Sequence, residues 1–191
     1  AEMLLRYSGI NKTYWERLER GEITKAEVLV GRFQEFFEQE GIDSAIASEF
    51  NQKYQICLGD TIVYHDNSFQ IVKSLQGKVR QYVVSNGTII AQTKKLNRSG
   101  LGALMDGIFL SEQIGAEKPN LEFFDKVFES IGEIDRNQTI IIGDSLTSDI
   151  CGGNRAGIIT CWYNPEKTEK REHVHVDYEI TDLHEVYRIL S

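Results

Sequence analysis

Residues 139–149 read Thr-Ile-Ile-Ile-Gly-Asp-Ser-Leu-Thr-Ser-Asp, and this stretch decides the fold class. The run at 139–142 is apolar and rich in β-branched residues, which predicts a central strand buried on both faces of a parallel sheet. Asp144 follows at the strand tip, and Asp149 stands five positions later, at the start of a predicted helix. Ligands of open α/β sheets bind beyond the carboxyl ends of the strands, so the same stretch predicts a functional site.

From residue 60 onward, short β-rich runs alternate with amphipathic helical patterns. The predicted strands are 79–84, 107–110, 139–142, 158–162 and 176–180. The predicted helices between and after them are 68–75, 91–99, 121–131, 148–156 and 182–190. Strands joined by helices of this length form right-handed βαβ units. We therefore expect a doubly wound, parallel, Rossmann-like α/β core at residues 59–191.

The first third of the chain has a helical period. Thr24 stands three positions before Glu27, the spacing of a capping box that starts a helix. Phe33 and Phe37 follow at helical spacing on one face, as expected for the packed side of that helix. The pattern predicts a helical subdomain at residues 1–58.

Composition excludes several classes of protein. The 191 residues carry 21 Lys and Arg against 29 Asp and Glu, a net charge of −8, which is the wrong sign for a nucleic-acid partner. No apolar run is long enough to span a membrane, so we expect no membrane partner. Cys57, Cys151 and Cys161 are odd in number and lack a Cys-x-x-Cys spacing, which favours unpaired packing residues and a cytoplasmic location.

The first candidate strand tip carries Ser85, Asn86 and Gly87. A hydroxyl donor followed by Asn-Gly leaves backbone N–H groups free to face an anion, and the next helix adds its positive end. A plain Ser-Asn-Gly turn before a helix explains the same residues.

A second candidate, Lys118, precedes Pro119. Proline suits the first turn of a helix, where its missing N–H costs nothing. This placement would fix Lys118 just ahead of the helix, with its ammonium in reach of an oxyanion at the strand tips. A solvated surface lysine is the alternative.

The third candidate is the pair Asp144 and Asp149. Two carboxylates beside one strand tip can meet over a hard cation, and Mg²⁺ commonly takes one or two carboxylates together with phosphate oxygens. The alternative gives Asp144 a turn role and Asp149 a helix N-terminal role. Since both follow the most apolar strand, the metal interpretation is favoured.

Taken together and in this order, Ser85-Asn86, Lys118-Pro119 and Gly143-Asp144 with Asp149 resemble motifs two, three and four of the haloacid dehalogenase-like hydrolase superfamily. The resemblance covers nearly the whole chain. Residues 1–58 resemble the helical cap of the first subclass of that superfamily. Four stretches resemble, in particular, the YjjG/YfnB-type 5′-nucleotidases: 14–24, 84–87, 143–150 and 160–165.

The resemblance implies a Mg²⁺-dependent phosphatase. In this superfamily an aspartate attacks the phosphoryl group and water then hydrolyses the aspartyl-phosphate. By position, Ser85 and the N–H groups of Asn86 and Gly87 would hold the phosphate, and Lys118 would be the catalytic lysine that balances charge. The implied substrate is a small phosphorylated metabolite, with a nucleoside 5′-monophosphate favoured.

The resemblance also assigns the metal and the cap. Asp144 would be a Mg²⁺ ligand, and Asp149 would belong to the same metal site, where it orients a metal-bound water or Lys118. The cap would exclude water and select the leaving group.

The first motif of the superfamily, Asp-x-Asp, is absent from the chain. It holds ten aspartates, and none is followed by aspartate two positions later. The resemblance places the nucleophile before the cap, upstream of Ala1, on a first core strand that the chain lacks. We expect such a chain alone to be inactive, and to need its missing N-terminal segment or a strand-swapped copy as partner.

Two explanations of this absence stay open. The chain is truncated, or it is a catalytically silent phosphate- or nucleotide-binding or regulatory module on the same scaffold. A sister reaction, phosphosugar mutation or dehalogenation, is a third hypothesis, and dehalogenation would need no Mg²⁺.

Overall fold

The computed structural model describes residues 2–170 and 173–190, which divide into two compact units, Ala1–Leu58 and Gly59–Ser191. The first unit is helical. It contains α1 (Glu2–Glu19), α2 (Lys25–Gln39) and most of α3 (Ala47–Asp60).

The predicted capping box is present at the start of α2. The Glu27 N–H donates to Thr24 Oγ1 at 3.3 Å, and the Thr24 N–H donates to Glu27 Oε2 at 2.7 Å. Val28, Phe33 and Phe37 lie on the buried side of α2, as the periodicity predicts. Burial of these side chains stabilises the three-helix packing of the unit by removing apolar surface from water.

The second unit alternates strands and helices. Its strands are β1 (Tyr82–Ser85), β2 (Gly107–Leu110), β3 (Ile140–Gly143), β4 (Ile159–Tyr163) and β5 (Tyr178–Ile180). Its helices are α4 (Ser68–Leu75), α5 (Ile89–Ser99), α6 (Ser111–Ile114), α7 (Leu121–Ile131), α8 (Cys151–Ala156) and α9 (Val186–Ile189). All five predicted strands form, with ends shifted by up to three residues.

The strands are parallel, which confirms the predicted α/β class. They form two sheets, with orders β1-β2 and β3-β4-β5. Across the described ranges, β1 pairs only with β2 and β3 only with β4, so each leaves one edge unpaired. This separation is what the sequence predicts for a core without its first central strand.

The prediction that the strand at 139–142 is buried on both faces is wrong in one respect. Ile141 is 6% exposed, but Ile142 is 38% exposed. Ile140 shares a face with Ile142 and packs with the cluster around Cys161, so this face of β3 is covered near the start of the strand and open near its end.

Helices cover both faces of the strands, as expected for a doubly wound core. On one face, Phe123, Phe124 and Val127 of α7 pack with Ile141 of β3. On the other, α4 and α9 pack against β4 and β5 in a cluster that includes Cys161. On β3, Ile141 belongs to the first cluster and Ile140 to the second, because successive side chains point to opposite faces.

Two helix predictions need correction. The helix expected at 148–156 begins as a π-helical turn, Leu146–Ile150, in which both the Asp149 and Ile150 N–H groups donate to the Ser145 carbonyl. Pro119 does not occupy the first turn of α7, because Asn120 is its N-cap and Pro119 precedes that residue, after a cis peptide bond.

The prediction that the cysteines are packing residues holds for Cys161, which is buried, whereas Cys57 is exposed. No disulfide joins cysteines among the described residues. Among the helices of the described residues, none is both long and apolar enough to cross a membrane.

Candidate active site

The centre of the candidate site is a buried ion pair between Lys118 and Asp149. Lys118 Nζ donates to Asp149 Oδ1 at 2.5 Å and to the carbonyl oxygen of Val84 at 3.0 Å. The two charged side chains are 7% and 10% exposed. The pair joins the end of β1 to the turn after β3. Among residues 2–170 and 173–190, the third N–H of the Lys118 ammonium has no partner.

The loop after β1 is fastened to the same lysine. Asn86 Nδ2 donates to the Lys118 carbonyl at 2.8 Å, and Asn86 Oδ1 accepts the Lys118 N–H at 2.9 Å. This two-bond amide contact holds the backbone of the lysine rather than its ammonium. Asn86 is 8% exposed, so the sequence prediction that it faces an anion through its backbone is compatible with a structural role for its side chain.

Ser85 organises the turn that follows. The Gly87 N–H donates to Ser85 Oγ at 3.0 Å, so this amide, predicted to bind phosphate, is already engaged. The Ser85 hydroxyl can still donate its own hydrogen. At the start of α5, the Ile89 N–H donates to Glu112 Oε2 at 2.7 Å, so a carboxylate already occupies this end of the helix.

Asp144 lies at the tip of β3, directly before the π-helical turn. Its side chain is exposed, while its backbone carbonyl accepts the indole N–H of Trp162 at 3.1 Å. Asp149 Oδ2 accepts the Ser145 N–H at 3.2 Å. The structure therefore brings Ser85, Asn86, Lys118, Asp144 and Asp149 to the carboxyl ends of β1 and β3.

Asp149 lies within the π-helical turn that follows β3. From there its carboxylate reaches back to the Ser145 N–H near the tip of β3. π-Turns are rare and occur often at functional sites. Sequence periodicity could not reveal this turn because the surrounding residues suit an ordinary helix.

Gly143 is required by the close approach of Asp149. A Cβ at residue 143 would overlap the Asp149 carboxyl group, which Lys118 and Ser145 hold in place. We expect Gly143→Ala to lower the free energy of unfolding by about 1–3 kcal/mol, since overpacking of a fixed neighbour has this cost. Urea denaturation measures the change. Gly9→Ala is the matched control: a Cβ added at position 9 of α1 would meet no atom within 4 Å beyond its own stretch of helix backbone, so this variant should be as stable as the parent or slightly more so.

The site offers one available carboxylate to a Mg²⁺ ion. Asp144 offers an exposed carboxylate, whereas both oxygens of Asp149 already accept hydrogen bonds. In the described part of the chain, no cluster of three or more His, Cys, Asp or Glu side chains could hold a metal ion. These residues fit an ion that takes one protein carboxylate and completes its shell with water and phosphate oxygens, as Mg²⁺ commonly does.

Two neighbours of the site were not predicted from the sequence as functional. They are Trp162, which bonds to the carbonyl of Asp144, and Tyr163, whose hydroxyl donates to Asp66 Oδ2 at 2.8 Å. Burial, with the hydrogen bond to Asp66 and the charges of nearby carboxylates that include Asp144, raises the pKa of Tyr163 to about 12. Tyr163 therefore stays neutral at physiological pH and acts here as a hydrogen-bond donor.

Comparison with known proteins identifies the family. The sequence profile of the haloacid dehalogenase-like hydrolases matches residues 13–163, which is most of the chain. The chain belongs to this family. As a haloacid dehalogenase-like hydrolase, it has the parallel α/β core and the helical unit that the motifs predict.

Three relatives refine the comparison. The chain is 38% identical to YfnB of Bacillus subtilis over 190 residues, covering 100% of this chain and 80% of YfnB. It is 28% identical to the pyrimidine 5′-nucleotidase YjjG of Escherichia coli, covering 100% of this chain and 83% of YjjG. It is 35% identical to the pyrimidine 5′-nucleotidase PynA of Streptococcus pneumoniae, covering 91% of this chain and 73% of PynA.

A crystal structure of YfnB bound to magnesium superposes on this hydrolase with a TM-score of 0.91, covering 100% of this chain and 83% of that one. The resemblance to YjjG/YfnB-type hydrolases is thus confirmed. The prediction that the 191 residues alone are inactive gains no support from these relatives, which align with the chain over nearly all of its length.

Proposed function

We propose that this hydrolase is a Mg²⁺-dependent phosphatase whose substrate is a nucleoside 5′-monophosphate, with a pyrimidine base favoured. The observation that carries the proposal is the buried Lys118–Asp149 pair, with its ammonium held between the strand tips. The ammonium keeps one N–H that can donate to a phosphate oxygen. Two relatives aligned with nearly the whole chain are named pyrimidine 5′-nucleotidases, which supports the choice of substrate.

In this proposal, each residue has one role. The Ser85 hydroxyl and the backbone of Asn86 and Gly87 bind the phosphate, although Gly87 must exchange its bond to Ser85 for one to the ligand. Lys118 balances the negative charge, and Asp149 holds Lys118 in place.

Asp144 would hold Mg²⁺, which when bound neutralises non-bridging phosphate oxygens. Asp149 is then closer to a positioning residue than to a metal ligand, because Lys118 and the Ser145 N–H already occupy its two oxygens. This refines the sequence-based placement of both aspartates in the metal site.

The group that attacks the phosphorus atom is not identified among the residues above. Since no aspartate of the chain lies in an Asp-x-Asp pair, we propose that the nucleophile is supplied from outside these 191 residues.

The molecule that this hydrolase binds is, in this proposal, a small phosphorylated metabolite. A cytoplasmic location and the absence of nucleic-acid and membrane partners stay predictions.

The test is phosphate release from UMP, CMP and AMP by the protein as its own gene makes it, with Mg²⁺ or with EDTA. We expect release from the pyrimidine nucleotides that EDTA abolishes. The 191-residue chain, assayed in parallel, should bind UMP without releasing phosphate. Release that persists in EDTA would contradict the metal role, and turnover by the 191-residue chain would contradict the external nucleophile.

The catalytically silent module is less well supported, because the two relatives named above are nucleotidases. It would be favoured by Mg²⁺-dependent UMP binding without phosphate release in the gene's own product.

A further inference from the structure

We propose that Trp162 is a positioning residue of the candidate site and acts through Asp144. The inference rests on the proposed function, since it gives Asp144 the task of holding Mg²⁺. The indole Nε1–H of Trp162 donates to the backbone carbonyl of Asp144 at 3.1 Å, and Trp162 is only 4% exposed. The Asp144 carboxylate is thus exposed, while the backbone that carries it is held by the buried side chain of Trp162.

The peptide unit between Asp144 and Ser145 is bonded at both of its polar atoms. Its carbonyl oxygen accepts from Trp162, and its N–H donates to Asp149 Oδ2 at 3.2 Å. Rotation of this peptide plane would break one or both bonds. The two side chains together therefore fix the backbone torsion that follows the Asp144 Cα, and with it the direction in which the Asp144 side chain leaves the strand.

Strand register explains why residue 162 can perform this task. In the parallel pair of β3 and β4, Trp162 is the partner of Gly143, the residue directly before Asp144. The tryptophan side chain combines a large apolar body with a single N–H donor, so it can pack in the interior and still satisfy a backbone carbonyl. Phenylalanine would keep most of the packing and would leave that carbonyl without its donor.

Trp162 also completes a chain of contacts across the site. Trp162 holds the Asp144–Ser145 peptide, Asp149 holds the same peptide from its N–H side, and Lys118 connects Asp149 to the carbonyl of Val84 at the end of β1. Loss of the indole donor therefore frees the part of the network that carries Asp144, while the contact between Lys118 and Asp149 remains.

The first experiment is a binding measurement on Trp162→Phe, with inorganic phosphate and Mg²⁺ as the probes. We expect the Mg²⁺ affinity in the presence of phosphate to fall about 5- to 10-fold, as for the loss of one supporting hydrogen bond behind a metal ligand. Phosphate affinity without Mg²⁺ should stay at the parental value. A general structural defect would lower both affinities, so this split distinguishes positioning from packing. Trp15→Phe, in the helical unit, is the matched control and should change neither affinity.

A second measurement needs no replacement of Trp162. In the Trp15→Phe variant, Trp162 is the remaining tryptophan of the chain, so its indole N–H gives one NMR resonance. Addition of Mg²⁺ with phosphate should shift this resonance, and the shift should be lost when Asp144→Asn is added. This result would support the proposal even if Trp162→Phe fails to fold.

These measurements distinguish a failure of the role of Trp162 from a failure of the proposed function. Parental Mg²⁺ affinity in a folded Trp162→Phe variant, or an indole resonance that ignores Mg²⁺ while Asp144→Asn still abolishes binding, would overturn the role of Trp162 alone. A parent protein that shows no Mg²⁺ binding in the presence of phosphate would overturn the proposed function, and the role of Trp162 with it.

Discussion

Replacing Lys118 by methionine should lower the free energy of unfolding by about 3–5 kcal/mol. The substitution keeps most of the length of the side chain and removes its charge, which leaves the Asp149 carboxylate buried without its counter-ion. It also removes the bond to the Val84 carbonyl that ties β1 to this pair. Equilibrium urea denaturation, followed by circular dichroism, measures the loss.

The matched control is Lys94→Met. Lys94 forms an ion pair with Asp60 at 2.7 Å, but both side chains are more than a third exposed. Exposed pairs contribute little because water and salt screen them, so this variant should be nearly as stable as the parent. Equal losses in the two lysine variants would show that the Lys118–Asp149 pair has no special place in the fold.

Replacing Asp144 by asparagine should weaken Mg²⁺ binding in the presence of phosphate by about 100-fold, at the upper end of the losses seen around metal ligands. The amide keeps the size of the side chain and removes the charge that attracts the cation. Because the Asp144 side chain is exposed, the melting temperature without metal should be unchanged. Isothermal titration with Mg²⁺ measures the affinity.

Asp125→Asn is the control for this change. Asp125 is an exposed aspartate of α7 whose nearest cation, an Nη of Arg136, is 3.9 Å away. Its neutralisation alters the net charge by the same amount and should leave Mg²⁺ binding unaltered. If both aspartate variants weaken binding alike, the ion responds to overall charge and not to a site at Asp144.

The sequence predicted the order of elements because each depends on local signals. The helix at 68–75, the strand at 107–110 and the helix at 121–131 have the predicted bounds, since their periodic patterns end at clear turn residues. The capping box of Thr24 and Glu27 is likewise a contact between near neighbours. The ends of the other strands shifted, because pairing with a neighbouring strand decides where a strand stops.

The sequence identified most of the residues that lie at the site, but few of the contacts between them. The motifs named Ser85, Lys118, Asp144 and Asp149, and the structure brings all four to one end of the parallel strands. The partner of each could not be predicted from spacing. The resemblance implied contact with Lys118 as one of two roles for Asp149, but this pair joins the segment before α7 to the turn after β3, and the bond from Trp162 to Asp144 depends on the register of β4 against β3. Both are tertiary features that local patterns do not specify.

The exposure of Ile142 shows the same limit. A run of four β-favouring residues is typical of a strand covered on both faces, and the sequence has no means of reporting which neighbours a strand will meet. In the structure, β3 pairs with β4 alone among the described strands, and its other edge stays open. Burial of a strand is therefore a property of the whole sheet.

A crystal structure of this chain grown with Mg²⁺ and inorganic phosphate tests most directly whether the ends of β1 and β3 form one phosphate and metal site. We expect phosphate within hydrogen-bond distance of Ser85 Oγ and Lys118 Nζ, and the metal ion bound to the Asp144 carboxylate and to a phosphate oxygen. Phosphate bound elsewhere, or a metal ion that leaves Asp144 uncoordinated, would contradict this expectation.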